Sequence, residues 1–111
     1  FWEVGPSYRA RNPEGVELWD KLEHMSAPYG EAATQPNKNV VTPETLGKLK
    51  IPVHLLTGDA DLACPPAVTR MVAARIPQAE VSIIPESGHS LYWERPDAFN
   101  QAVLAFWARH K

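Results

Sequence analysis

The sequence predicts an α/β fold with two parallel strands and flanking helices in residues 51–111, preceded by a helical region in residues 1–50. Two observations lead to this prediction. Residues 53–57 and 81–84 are apolar runs without polar alternation, as expected of strands that are buried on both faces of a parallel sheet. A helical pattern follows each run, and about twenty residues of crossover allow the strands to lie parallel through a right-handed connection.

The first helix of the N-terminal region is predicted to begin at Asn12. Asparagine is a favourable N-cap, Pro13 suits the first helical position, and Glu14 suits the positive end of the helix dipole. The helix is predicted to end near Pro28. Its apolar residues recur at steps of three and are predicted to form one face: Val16, Trp19, Leu22 and Met25.

Three more helices are predicted after a loop that covers residues 26–41. A short helix begins at Pro43 and reaches Leu49, and two longer helices begin at Pro66 and Pro96. The apolar stripes of the two longer helices are predicted to consist of Val68, Met71, Val72 and Ile76 in the first and of Phe99, Val103, Phe106 and Trp107 in the second.

Composition limits the classes of partner. The formal net charge is −2 and no run of lysine or arginine occurs, so neither nucleic acid nor a membrane surface is an expected partner. The single cysteine, Cys64, cannot form an internal disulfide, which favours a reducing, cytoplasmic location. No histidines, cysteines or acids have the spacing of metal ligands, and we expect neither a metal nor a cofactor.

Polar loops follow both predicted strands. The first loop carries Asp59 and Asp61, and the second carries His89 after a glycine. Parallel strands end at the same edge of a sheet and neighbours lie about 4.8 Å apart, so a carboxylate of one loop can reach the imidazole of the other. Such a carboxylate fixes the tautomer of a histidine that acts as a base. Asp61 is the predicted partner of His89, and Asp59 is predicted to form the turn.

Four short motifs occur in order along residues 51–107. I-P-V-H-L-L occupies residues 51–56, G-D-A-D occupies residues 58–61, S-G-H-S occupies residues 87–90, and E-R-P-D-A-F-N occupies residues 94–100. They resemble the penultimate core strand, the G-x-x-D turn, the G-H turn and the start of the last helix of the α/β-hydrolase family. The fold class implied by the resemblance is the C-terminal part of an α/β-hydrolase fold.

The resemblance implies that Asp61 is the acid and His89 the histidine of a catalytic triad. In this family the nucleophile precedes both, and no G-x-S-x-G motif occurs in the chain. The chain begins at Phe1, so we expect a nucleophile-bearing N-terminal hydrolase segment, or else a second copy of the chain, to cover the open sheet edge. Residues 1–50 resemble the end of the family's cap with its connecting helix.

The activity implied by the resemblance is hydrolysis of a small-molecule ester, lactone or ketone-adjacent carbon–carbon bond by an upstream serine, with the chain alone inactive. Two alternatives stay open. An aspartate nucleophile gives an epoxide hydrolase or haloalkane dehalogenase of the same fold. A non-catalytic or remnant protein uses the open sheet edge for association, although the presence of both Asp61 and His89 argues against it. Tyr92 and Trp93 follow the histidine and are candidate substrate-binding residues.

Overall fold

The computed structural model describes residues 2–26, 38 and 40–111. The loop predicted over residues 26–41 lies largely outside the described residues, as does the helix end predicted near Pro28. The elements in chain order are α1 (Pro6–Arg11), α2 (Pro13–His24), α3 (Pro43–Leu46), β1 (Val53–Gly58), α4 (Pro66–Ala73), β2 (Ala79–Ile84), α5 (Leu91–Glu94) and α6 (Pro96–Arg109).

Strands β1 and β2 lie parallel, which confirms the predicted α/β arrangement. Their register runs from Val53 opposite Ala79 to Gly58 opposite Ile84. β2 begins before the apolar run at residues 81–84, because the backbone of the preceding residues also finds partners in β1. Both strands end at the same level, so the loops that follow them leave the sheet at the same edge.

Helix α2 begins as predicted, and Oδ1 of Asn12 accepts a hydrogen bond from the Gly15 amide at 2.9 Å. The predicted apolar face is only half correct. Trp19 is half-buried, whereas Leu22 and Met25 are 47% and 80% exposed. Three residues turn a helix by about 300°, which is about 60° short of a full turn. Residues spaced by three therefore rotate around the helix by about 60° per step, and the later ones lie away from the buried side.

Helix α4 packs against both strands but is shorter than predicted and ends three residues before Ile76. Ile76 is nevertheless buried, in the turn that follows the helix. Two residues of the predicted stripe, Val68 and Met71, are exposed. Thr69 is buried in their place, with its hydroxyl 3.5 Å from the carbonyl of Cys64 in the preceding loop. The buried side of α4 therefore includes a polar residue that apolar periodicity does not reveal.

Helix α6 has the predicted start and packs along β2. Phe106 stacks on His54 of β1 with 4.8 Å between ring centroids, and burial lowers the pKa of His54. At the end of the helix, Arg109 forms an ion pair with Glu80 of β2. Trp107 was predicted to lie in the apolar stripe but is exposed, because consecutive helical residues point about 100° apart.

The apolar core of the described residues is small. Its buried hydrophobic side chains are Val4, Ile76, Ile84 and Leu91. Most residues of β1 and β2 are only half-buried, although their sequences are typical of strands covered on both faces. None of the helices in the described part of the chain has the length and apolar character needed to cross a bilayer.

Sequence patterns predict neither α1 nor α5. No side-chain hydrogen bond caps the start of either helix, and both are too short for an apolar period to be recognised. α5 follows directly on the loop that carries the predicted catalytic histidine, and it buries Leu91 and Glu94. This single helical turn therefore forms part of the support beneath the histidine loop.

Candidate active site

The loop after β1 folds around the carboxylate of Asp61, which is buried. Oδ1 of Asp61 accepts hydrogen bonds from the backbone amides of Ala63 at 2.8 Å and Cys64 at 2.9 Å. The buried hydroxyl of Thr57, near the end of β1, donates to the Cys64 carbonyl at 2.8 Å and anchors the far side of the same loop. Oδ1 is thus held by its own loop, and Oδ2, which lies 3.3 Å from the Thr57 hydroxyl, faces the next loop.

The loop after β2 brings His89 to Oδ2. Nδ1 of His89 lies 3.0 Å from Oδ2 of Asp61. A carboxylate only accepts hydrogen bonds, so Nδ1–H donates, and Nε2 of the neutral ring keeps its lone pair. The His89 side chain is 45% exposed and that of Asp61 is 3% exposed, which gives a sheltered acid and an open imidazole. An imidazole in this tautomer can take a proton from a nucleophile placed at Nε2.

The surroundings of Asp61 favour its ionised form. Burial by itself raises the pKa of the carboxyl, but hydrogen bonds from the Cys64 amide, His89 and the Ala63 amide outweigh burial and hold the pKa below the ordinary value of 3.8. A carboxylate that stays ionised stabilises the imidazolium that forms when His89 accepts a proton.

The lowered pKa of Asp61 makes the stability of the fold depend on pH in acid. A carboxyl with a depressed folded pKa stabilises the fold fully above its unfolded pKa, and this contribution is lost as the pH falls through the folded pKa. The pH range in which the contribution of Asp61 to stability is lost therefore begins near the ordinary pKa of 3.8 and extends below it. In urea titrations, the amount by which the wild-type protein exceeds Asp61→Asn in free energy of unfolding should shrink as the pH falls below about 4. A difference that stays constant down to pH about 2 would contradict the lowered pKa.

Backbone contacts hold the two loops together. Asp59, the competing acid of the first loop, accepts a hydrogen bond from the Ser87 amide at 3.3 Å. The Ala60 amide donates in turn to the Ser87 carbonyl at 3.0 Å. Gly58 lies against the same turn, and a Cβ there would overlap the Ser87 carbonyl oxygen. Asp59 therefore joins the two loops, whereas the nearby amides of its own loop bond to Asp61, and Asp61 is the acid that reaches His89.

The turn that leads to the histidine contains Glu86 with a positive φ of 56°. Residues other than glycine rarely adopt this conformation. Its carboxylate forms ion pairs with Arg11 at 2.6 Å and Arg95 at 3.5 Å. Arg95 also donates to the Pro85 carbonyl at 3.0 Å. Each exposed pair contributes little by itself, but together the two arginines attach this turn to α1 and to the start of α6.

Aromatic side chains border the histidine in an arrangement that the sequence did not predict. Trp2, which is half exposed, lies with its ring centroid 5.8 Å from that of His89. Tyr92 and Trp93, the predicted substrate-binding residues, pack on Trp19 of α2 with centroid distances of 6.4 and 5.4 Å. Their contact with substrate stays a prediction, and Trp2 joins them as a candidate.

Sequence patterns missed two residues that the structure brings to the histidine loop. Glu94 was matched only as part of the last-helix motif, yet it is buried and accepts a hydrogen bond from the Gly88 amide at 2.9 Å. Its signal in the sequence is a charged residue that directly follows the apolar residues 91–93. Trp2 gives no such signal, because it lies near the opposite end of the chain from the motif that it approaches.

Comparisons with known proteins bear on the family of the chain. The α/β-hydrolase family model described as TAP-like protein matches residues 24–110. BpoC of Mycobacterium tuberculosis, named as a non-heme bromoperoxidase, is 38% identical over 60 residues, which are 54% of this chain and 23% of BpoC. The 2-hydroxy-6-oxononadienedioate/2-hydroxy-6-oxononatrienedioate hydrolase of Klebsiella pneumoniae is 36% identical over 64 residues, which are 58% of this chain and 22% of that enzyme.

A solved structure extends the similarity to nearly the whole chain. A thermophilic esterase from Thermogutta terrifontis has a TM-score of 0.82 at 26% identity, over 97% of this chain and 41% of the esterase. The chain thus covers less than half of the esterase, and its matched segments cover less than a quarter of the two curated relatives. The matching family model covers most of the chain, including Asp61 and His89, and the chain therefore belongs to the α/β-hydrolase family.

Proposed function

We propose that the chain supplies the acid and the histidine of a Ser-His-Asp triad that hydrolyses an ester, a lactone or a ketone-adjacent carbon–carbon bond. The observation that carries this proposal is the 3.0 Å contact between Nδ1 of His89 and Oδ2 of Asp61, with the acid buried and the imidazole open. No G-x-S-x-G motif occurs in the chain. The nucleophile is therefore supplied by a further segment, either in the same polypeptide or as a separate chain.

His89 acts as the base and then as the acid in this proposed reaction. Nε2 accepts the serine proton as the serine oxygen attacks the substrate carbonyl, and Asp61 stabilises the resulting imidazolium. The proton then passes from Nε2 to the leaving group as the acyl-serine forms. In the second half of the reaction, Nε2 takes a proton from the attacking water and returns it to the serine as the acyl group leaves.

Two relatives support a carbonyl-centred substrate. One solved neighbour is an esterase, and one curated relative is named as a 2-hydroxy-6-oxononadienedioate hydrolase. Both names favour attack on a carbonyl carbon over opening of an epoxide or displacement of a halide. Trp2 lies beside His89 with half of its surface exposed, so an apolar group of a small-molecule substrate would contact its ring.

The sheet offers a surface for the nucleophile-bearing segment. Among the described residues, β1 and β2 pair only with each other, and most of their side chains are half-buried. Parallel strands are normally covered on both faces, and an open edge accepts a further strand. We propose that this segment covers the sheet edge. The alternative is that a second copy of the chain covers it.

The free thiol of Cys64 supports a cytoplasmic location.

A serine-directed fluorophosphonate probe tests the proposal in the full natural protein. We expect covalent labelling of one serine outside the 111 residues, together with hydrolysis of p-nitrophenyl butyrate. Labelling should become slow in His89→Ala, because the histidine activates the serine. The chain by itself should be neither labelled nor active.

The same experiment separates the alternatives. An aspartate nucleophile would give no labelling but would turn over an epoxide or a haloalkane through an alkyl-enzyme ester. A full protein that is folded, is not labelled and acts on none of these substrates would contradict the proposal and favour a binding role.

A further inference from the structure

Glu94 in α5 is a buried carboxylate, 5% exposed, that binds two backbone amides from distant parts of the chain. Its Oε2 atom accepts from Gly5 at 3.0 Å, and the Gly88 amide is shared between Oε1 at 3.0 Å and Oε2 at 2.9 Å. Such amide donors compensate a carboxylate for the water that it loses on burial. Glu94 therefore joins the N-terminal end of the described chain to the residue that directly precedes the histidine.

The N-terminal segment, residues 2–5, lies in close contact with the histidine loop. A Cβ on Gly5 would lie 2.6 Å from the backbone nitrogen of Gly88, a distance at which something must shift. On the other side of the histidine, the Ser90 amide donates to the Glu3 carbonyl at 2.9 Å. The backbone on both sides of the histidine is therefore held by groups that lie outside its own loop.

We propose that Glu94 is a positioning residue for His89, which acts through the Gly88 amide to keep Nδ1 directed at Asp61. This inference rests on the proposed function in that it treats His89 as the base of the triad. The His89 side chain is 45% exposed, so burial does not fix the direction of the ring, which depends on its bond to Asp61 and on the position of its backbone. Trp2, which contacts the ring, belongs to the segment that Glu94 holds through Gly5.

Two substitutions at Glu94 should impair the positioning of His89 to different degrees. Glu94→Gln keeps the shape of the side chain and one acceptor, but it turns an NH₂ group toward a backbone amide donor. Glu94→Ala removes both acceptors and leaves the Gly5 and Gly88 amides unpaired. In the full natural protein we expect kcat to fall about tenfold for glutamine and about a hundredfold for alanine, with little change in KM.

The direct readout is the Nδ1–H proton of His89 in NMR spectra of histidine-labelled protein, identified by its absence from His89→Ala. In Glu94→Gln this signal should weaken or disappear. In Glu14→Gln, the matched change at an exposed residue of α2, it should persist. A glutamate with a merely structural role would lower the melting temperature and leave the signal intact in the folded variant. That result would overturn the inference.

Amide exchange in the wild-type protein keeps the inference testable if Glu94→Gln fails to fold. Slow exchange of the Gly5 and Gly88 amides together supports the shared acceptor, and exchange of Gly88 at the rate of an open amide overturns it. The NMR readout needs no turnover, so the two proposals can fail separately. Lack of hydrolysis in the wild-type protein counts against the proposed function, whereas a retained His89 signal counts against the role of Glu94.

Discussion

In the full natural protein, His89→Ala should lower kcat for an ester substrate by at least about a thousandfold, while KM changes by less than about threefold. In the proposed reaction, alanine removes the group that takes the serine proton and leaves the other substrate contacts in place. His24→Ala is the matched control, because His24 is an exposed histidine on α2. It should keep kcat within about twofold of wild type in the same steady-state assay. Residual activity of His89→Ala above about a tenth would contradict the assignment of His89 as the base.

Asp61→Asn extends this test to the acid. Asparagine presents an NH₂ group that can donate to Nδ1, which would move the ring proton to Nε2 and leave no lone pair for the serine proton. We expect a loss of about 10⁴ in kcat, as for a triad histidine held in the wrong tautomer. Asp59→Asn should have a much smaller effect, because Asp59 contacts the Ser87 amide and Asp61 contacts the imidazole.

Gly58→Ala should destabilise the fold by at least about 2 kcal/mol and displace the histidine loop. A Cβ at this position would overlap the carbonyl oxygens of Ser87 and Gly88. Both are backbone atoms in the loop that carries His89, so no side-chain rotation can relieve the overlap. The measurement is the free energy of unfolding from urea titrations, together with the Nδ1–H signal of His89, which should weaken.

Gly47→Ala is the matched control for this substitution. A Cβ on Gly47 would lie 3.5 Å from its nearest neighbour, the Pro43 carbonyl oxygen, which is ordinary van der Waals contact. The backbone there is helical with φ −63°, so alanine should change the stability by less than about 1 kcal/mol, in the stabilising direction. Equal free energies of unfolding for the two variants would show that the loop has room at Gly58.

The placement of Asp61 beside His89 could be predicted because it follows from local order. Each residue comes just after an apolar run that forms a strand, and the strands are parallel and in register. Because both strands end at one edge, the loops that follow them are neighbours, and Asp61 and His89 come together although they are 28 residues apart in sequence. The α/β class and the start of α6 were predictable for the same reason, since prolines and apolar runs mark them directly.

The surroundings of the pair could not be predicted, because they depend on contacts between distant segments. Trp2 and Gly5 reach the histidine loop from the other end of the chain, and no pattern within either segment specifies the partner. Glu94 looks like a surface charge in the sequence, and only the two amides that it binds explain its burial. Tyr92 and Trp93 were assigned by proximity along the chain, although α5 turns both rings toward Trp19.

The two carboxylate oxygens of Asp61 have separate partners, and this division has a consequence for the energetics of proton transfer. Oδ1 is held by the amides of Ala63 and Cys64, and Oδ2 faces His89. The Oδ1 bonds do not involve the imidazole, so the carboxylate keeps its direction whether the ring is neutral or charged. Proton transfer to His89 in the proposed reaction therefore requires little reorganisation energy from the acid. The atoms that must move in each turnover are then those of the imidazole, the nucleophile and the substrate.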